Sequence, residues 1–334
     1  MIPGSMIPGS MIPDRMIEVL EAATANTVQD IGRTGFAPIG VGRSGAMDPV
    51  ALQVANMLLG NATGAAAIEI QVFPFAVRFT TDTAFAITGA DSEPRLDGVP
   101  LPPWWAAPAR AGQVLRLSPP RDGARSYLAV AGGIDVPAVL GSRSTHLRSA
   151  FGGFHGRALE HGDMLPIGPA AQPAMTLGAA APERPVGPVL TVQALPAAEH
   201  DAFPQSAREA FWSAEWRITA QSNRHGYRLS GPELGGGDGF NIRSTPILPG
   251  VVQVPPGGAP IVQMSDANSA GGYPKIATVI GADLPLLGQA RLGSRVRFAK
   301  TNYEAALAAE QAVRAYLARV QRTIGLFRRN GAPG

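Results

Sequence analysis

The sequence predicts a mainly β fold with a few helices, arranged as two β-rich units followed by a C-terminal helix. Three observations carry this. The chain has 40 glycines and 31 prolines among 334 residues, too many for a helical bundle and suited to short strands joined by turns. Apolar residues alternate with period two in several segments, as strands with one buried face require. A unit also recurs: "AGQVLRL" (Ala111–Leu117), "HGDMLPI" (His161–Ile167) and "LGSRVRF" (Leu292–Phe298) each set a glycine turn before an alternating apolar strand. Tight turns of this kind need the positive φ that glycine tolerates.

The chain opens on "MIPGSMIPGSMIPDRM", a five-residue unit nearly repeated three times, so residues 1–15 are expected to form an extension outside the fold. Residues 16–175 are expected to form the first β-rich domain, with "FAVRFT" (Phe75–Thr80), "AFAIT" (Ala84–Thr88) and "YLAVAGG" from Tyr127 as strands. One helix is expected there. Asp48 supplies a capping carboxylate, Pro49 suits the first turn, Val50, Val54, Met57 and Leu58 form an apolar stripe, and Gly60-Asn61 ends it. Ala170–Pro188 is rich in alanine and proline without periodicity, and 176–188 is taken as the linker. A β-rich barrel domain is expected over 189–300, with "VVQV", "PIVQM" and "IATVI" as strands. Residues 301–334 hold a helix whose stripe (Ala306, Ala309, Val313, Tyr316, Leu317, Val320) is expected to pack on the barrel.

Composition removes several classes. Net charge is only +3, and no basic stretch is interleaved with aromatics, which argues against a nucleic-acid partner despite a pI near 9.6. The C-terminal arginines (Arg314, Arg319, Arg322, Arg328, Arg329) read as a solvated helix face and tail. The chain has no cysteine, which excludes disulfides, thiolate metal ligands and cysteine nucleophiles. No apolar run reaches the ~20 residues that span a bilayer, and no basic-then-apolar leader opens the chain. The expected location is cytoplasmic, away from membranes.

The stretch "GVGRSGAMDPVALQVANMLLGN" (Gly40–Asn61) admits a phosphate loop, a catalytic serine or a capped turn. Asp48 would repel a phosphate and occupy the helix-opening amides, and the lysine of a Walker motif is absent. Ser44 lacks the second glycine of G-x-S-x-G. A capped turn or one wall of a pocket remains, with Arg43, Ser44, Asp48, Gln53 and Asn56 as candidate polar groups. His155, Glu160, His161 and Asp163 are a candidate metal cluster, but Gly162-Asp163 belongs to the recurrent turn, so no metal is expected. Arg143 lies in the polar loop Val139–Arg157, where it could hold a carboxylate through two parallel hydrogen bonds or simply be solvated.

"PIVQMSDANSAGGYPKIATVI" (Pro260–Ile280) is the most informative stretch. Gln263, Ser265, Asp266, Asn268 and Ser269 stand between apolar strands, ahead of Gly271-Gly272-Tyr273 and Lys275. So many polar groups need partners. Lys275, one of only two lysines, could polarise a carbonyl, and Asp266 could act as a general base or anchor an amide N–H. A rigid barrel turn is the alternative.

"QDIGRTGFAPIGVGRSGAMD", "ITGAD", "YLAVAGGIDVP", "VLGSRST", "GYRLSGP" and "DANSAGGYPKIATVI" occur in that order between Met16 and about Phe298. This series closely resembles the biotin-dependent carboxyltransferase family, also called allophanate hydrolase subunit 2, whose members include the C-type subunit of 5-oxoprolinase. The resemblance implies a cyclophilin-like β-barrel architecture and a B-type partner (allophanate hydrolase subunit 1-like), joined by an A-type homologue in lactam-opening complexes. It implies a hydrolase component acting on a cyclic amide, in the ATP-dependent opening of 5-oxoproline to glutamate. Two alternatives stay open: transfer of a carboxyl group from carboxybiotin to urea or a similar amide, and a non-catalytic regulatory binding partner. ATP would serve the complex, on this chain or a partner. Biotin would enter only with carboxyl transfer, carried by another protein, because no lysine here sits in a biotin-attachment context. On this resemblance Asp266, Lys275 and Arg143 are the expected catalytic groups. Arg43, Ser44, Asp48, Asn56, Gln263, Asn268, Ser269 and Tyr273 are the expected substrate contacts. The resemblance departs at Asn268-Ser269-Ala270, where glutamine and two threonines are expected.

Overall fold

A computed structural model describes residues 15–185, 187–235 and 242–330. The expected N-terminal extension, apart from Arg15, and the tail at 331–334 lie outside the described residues. Two six-stranded sheets face one another in the first half of the chain. One runs Met164–Pro166, Met16–Glu21, Phe75–Phe79, Val114–Leu117, Arg95–Leu96, Val99–Pro100. The other runs Leu177–Gly178, Trp105–Ala109, Thr83–Gly89, Ser126–Val130, Ala67–Ile70, Thr27–Gln29.

Strand alternation builds two cores here. From Thr83–Gly89, Phe85 and Ile87 meet Val77, Phe79 and Leu117 between the sheets, while Ala84 and Ala86 face the helix α1 (Pro49–Leu59). Alanine on that face lets α1 sit close to the sheet. Asp48 caps α1, accepting from the Ala51 amide at 3.0 Å, and Gly60 ends it at φ 70°. The three recurrent turn glycines, Gly112, Gly162 and Gly293, have φ of 89°, 87° and 87°.

A closed barrel follows, its strands in the spatial order Val189–Pro196, Lys275–Val279, Val251–Gln253, Ile261–Gln263, Gly226–Ser230, Trp216–Ile218, Arg295–Lys300. Val192, Tyr227, Val262, Ile276 and Phe298 form its core. The helix α2 (Gln205–Ser213) lays Phe211 against Phe298, with ring centroids 4.6 Å apart. A short helix, α3 (Leu284–Gly288), and the long α4 (Tyr303–Asn330) complete the fold. The expected fold class, mainly β with a barrel and a C-terminal helix, is therefore what the chain adopts.

Two details differ from expectation. The α4 stripe is partly or fully buried as read, yet it docks on α1 and the turn Gly281–Asp283 rather than on barrel strands. Val320 and Ile324 join the core beneath α1, and Arg328 donates to the Leu58 carbonyl at 2.8 Å. The barrel flank at Phe298 is already covered by α2, whereas α1 still has an apolar side to share. Within the expected linker, Leu177–Gly178 pairs with Trp105 and Ala106 and so extends the second sheet. No helix among the described residues is long and apolar enough to cross a membrane.

Candidate functional site

The loop before α1 connects the two halves of the molecule. Met47 leaves that loop to join the barrel core, and its backbone carbonyl lies where a Cβ on Gly288 would collide with it. At this seam the loop passes over the barrel turn at 264–269, and a buried charged cluster lies beneath both.

Arg224 is the centre of the cluster. Its Nε and Nη2 donate to the two carboxylate oxygens of Asp266 at 2.9 and 3.0 Å, Nη2 also donates to the Gly45 carbonyl at 2.7 Å, and Nη1 pairs with Glu69. Glu69 accepts from the Tyr127 hydroxyl at 2.7 Å and the Met47 amide at 2.8 Å. Arg125 donates to the Tyr227 hydroxyl at 2.8 Å and to Gln71 at 2.9 Å. Two arginines and two carboxylates are thus almost sealed from solvent, which is tolerable because each is paired and hydrogen-bonded. Burial acts against the Arg224 charge, but Asp266 and Glu69 overcome it and raise the guanidinium above its ordinary range. Burial pushes the Tyr127 phenol well up, and the Glu69 charge adds to it. Burial likewise raises Asp48, which Ala51 and Gln289 steady; the Gln289 amide donates to it at 2.9 Å.

This geometry revises several expected roles. Asp266 is not a free general base, since both its oxygens are held by Arg224. Lys275 is not its neighbour among the described contacts: its Nζ bonds Thr245 and lies 3.9 Å from the Glu199 carboxylate. Arg143 braces its own loop, donating to the Val136 carbonyl at 2.7 Å and to Asp135 at 3.0 Å. Asn56 is wholly buried and secures the end of α1 through the Ala65 carbonyl at 2.8 Å and Asn61. Asp48 is committed to the cap. Gln263 donates to Gln253 at 3.0 Å, and Gln253 donates to the Tyr273 carbonyl at 3.0 Å while the Tyr273 ring stays exposed. The side chain of Asn268 accepts from Arg148 at 3.0 Å, and Ser269 uses its carbonyl to accept the Ile247 amide. At the candidate metal cluster, Arg157 grips Asp163 through two 2.7 Å bonds, and no metal-sized group of ligands is found among the described residues.

Other expected residues do come together. Arg43, Ser44 and Gln53 line a cavity of about 460 Å³ with Ser265 from the barrel and Glu310, Arg314 and Leu317 from α4. Ser44, at φ 54°, accepts from Arg33 at 3.0 Å.

Where Gly42 passes over the Ala267 carbonyl, two of the chain's five histidines face each other. His146 stacks on Phe151, and His225 stands edge-on to it, centroids 6.1 Å apart and planes at 85°. Burial pushes the His146 imidazole down, with His225, Arg33 and Arg224 working against Asp266's opposing pull. Sequence reasoning missed His146, His225, Arg224 and Glu69. It also missed Asp30, whose carboxylate gathers the Ser142 and Ser144 hydroxyls at 2.7 and 2.6 Å and the Arg143 amide at 2.6 Å. The available signal was position: His146 and Arg224-His225 sit inside or beside polar loops that follow apolar strands.

The family model described as "Carboxyltransferase domain, subdomain A and B" matches residues 39–300. The chain is 45% identical to the C-type subunit of 5-oxoprolinase from Escherichia coli, over 89% of this chain and 94% of that protein. It is 39% identical to the corresponding 5-oxoprolinase subunit of Haemophilus influenzae, over 92% and 99% of the two. Its structure is similar to that of K. lactis urea amidolyase, with a TM-score of 0.84 and 29% identity over 92% of this chain but only 20% of the other.

Proposed function

Because the chain belongs to the carboxyltransferase domain family, subdomains A and B, we propose that it is one subunit of a 5-oxoprolinase-type complex. The observation that carries this is the match to the Escherichia coli C-type protein, which spans 94% of that protein rather than a fragment of it. In this reading the complex opens the lactam of 5-oxoproline to glutamate at the expense of ATP, with A-type and B-type homologues as partners.

A lactam resists opening because its amide is resonance-stabilised, so a site must orient it and aim donors at its carbonyl. The seam is the part of this chain suited to that work. Glu69, Arg224 and Asp266 fix the loop and the barrel turn without touching substrate, and Asp266 acts through Arg224 as a positioning group. The rim polar groups, Arg148 and Asn268, and the two histidines line the approach. The glycine-rich loop before α1 does not fit a nucleotide phosphate, since the Asp48 carboxylate already occupies the Ala51 amide. That loop is therefore not where ATP would bind.

The test is reconstitution with the A-type and B-type homologues, followed by measurement of glutamate released from 5-oxoproline and ATP. Absence of turnover in an intact complex overturns the proposal. The likeness to K. lactis urea amidolyase favours one second reading, carboxyl transfer to an amide from a biotinylated carrier; that activity would be blocked by avidin.

A further inference from the structure

The two seam histidines are held as opposite tautomers. His146 Nδ1 accepts the Ser149 amide at 3.2 Å, so the proton of the neutral ring resides on Nε2. His225 Nδ1 lies 2.7 Å from the Asp266 carbonyl oxygen, which can only accept, so Nδ1 carries a proton and, in the neutral ring, Nε2 carries the lone pair. Neither Nε2 has a hydrogen-bond partner among the described residues. A donor and an acceptor are thereby presented from two nearly perpendicular rings.

Their surroundings preserve this arrangement. His146 is buried, and Arg33 and Arg224 stand against its protonation. The opposing carboxylate, Asp266, is already gripped by Arg224. Gly42 packs beside this pair: a Cβ there would lie 3.8 Å from His146 Nε2 and press on the Ala267 carbonyl at 2.9 Å.

We propose that His146 and His225 form a recognition pair for a small cis amide, with His146 Nε2–H donating to the amide carbonyl and His225 Nε2 accepting its N–H. This rests on the proposed 5-oxoprolinase-type function and narrows its site. A lactam or a urea offers C=O and N–H on one edge. An ordinary secondary amide is trans and turns them to opposite edges, so the pair selects cyclic amides and ureas against peptide bonds.

The experiment uses the full chain labelled with ¹⁵N-histidine, with two-bond ¹H–¹⁵N correlations reporting each tautomer and His146→Phe and His225→Phe assigning the signals. The expected result is Nε2–H for His146 and Nδ1–H for His225. Added 2-pyrrolidinone shifts both Nε2 resonances. N-methylpyrrolidinone, which lacks the N–H, and the trans amide N-methylacetamide, which turns its N–H to the opposite edge, shift only His146. The same tautomer on both rings, or a His225 response to the N-methylated lactam equal to that for 2-pyrrolidinone, overturns the proposal. A reconstituted complex that releases glutamate while its histidines ignore 2-pyrrolidinone defeats this inference alone. A complex without turnover whose histidines respond as described defeats the broader function alone.

Discussion

Replacing Arg224 by methionine tests whether the buried cluster is what joins loop, sheet and barrel. The Arg224 side chain is 4% exposed, with Glu69 at 0% and Asp266 at 2%. Without the guanidinium, Glu69 keeps the Tyr127 hydroxyl, the Met47 amide and Arg125 at 3.8 Å. Asp266 keeps no side-chain partner among the described residues, and the Gly45 carbonyl loses its donor. Removing one partner of a buried ion pair costs about 3–5 kcal/mol, and Arg224→Met is expected in that range. Most of the cost falls on Asp266, so adding Asp266→Asn to Arg224→Met should recover about 1–3 kcal/mol as a coupling between neighbours. The single change Asp266→Asn leaves Arg224 with Glu69 and Gly45, and should cost less than Arg224→Met. The assay is urea unfolding of the full chain followed by tryptophan fluorescence, with Trp216 reporting from the barrel core. Arg224→Met within about 1 kcal/mol of the parent, or a strictly additive cycle, would refute the reasoning.

His146 is held below its usual value by burial, so under mildly acid conditions the unfolded chain binds a proton that the folded one refuses. Stability should then fall as pH drops below about 6.5, and His146→Gln should flatten that slope between urea midpoints measured across the range. Asp48→Ala should lose about 1 kcal/mol of cap and strand the Gln289 amide. Asp48→Asn also caps but carries no buried charge. Because the folded pKa is raised, the cost of the ionised carboxylate is present above that pKa; any gain in Tm from Asp48→Asn should appear at neutral pH and fade on acidification. Ile324→Ala opens the α4 contact with α1, and a cost of about 2–5 kcal/mol should appear as faster amide exchange in both helices with the barrel unchanged.

Much of the fold is legible where the signal is local. Alternation marks Phe75–Phe79 and Lys275–Val279, and a carboxylate, a proline and a glycine mark both ends of α1. The stripe on α4 shows which side is buried but not against what, because an apolar face does not specify its partner. The two-residue strand Leu177–Gly178 is too short to show a period. At the site, the two stretches singled out in the sequence do meet: Ser44 and Ser265 line one cavity and Gly42 lies on Ala267. The individual roles were not legible, since they depend on partners distant in the chain. Arg224 is 42 residues from Asp266 and 155 from Glu69, and no local spacing encodes those pairings.

The loop before α1 consists largely of glycine and small residues, so it has little apolar surface with which to hold itself in place. Its position comes instead from directional bonds to its backbone: Arg224 to the Gly45 carbonyl, the Met47 amide to Glu69, and the Asp48 amide to the Tyr127 hydroxyl at 2.7 Å. Apart from Met47, which is anchored in the barrel core, and the Asp48 cap, side-chain changes within the loop should therefore matter less than changes in the cluster that grips it. The same logic bears on Asn268-Ser269-Ala270, where the resemblance leads one to expect glutamine and two threonines. Ser269 and Ala270 act there through their backbones, the first accepting the Ile247 amide and the second pairing with Pro246. A threonine at either place could keep those bonds. Asn268 alone uses its side chain, on Arg148 at the rim. The departure thus changes the edge of the seam and leaves its charged centre and its two histidines intact.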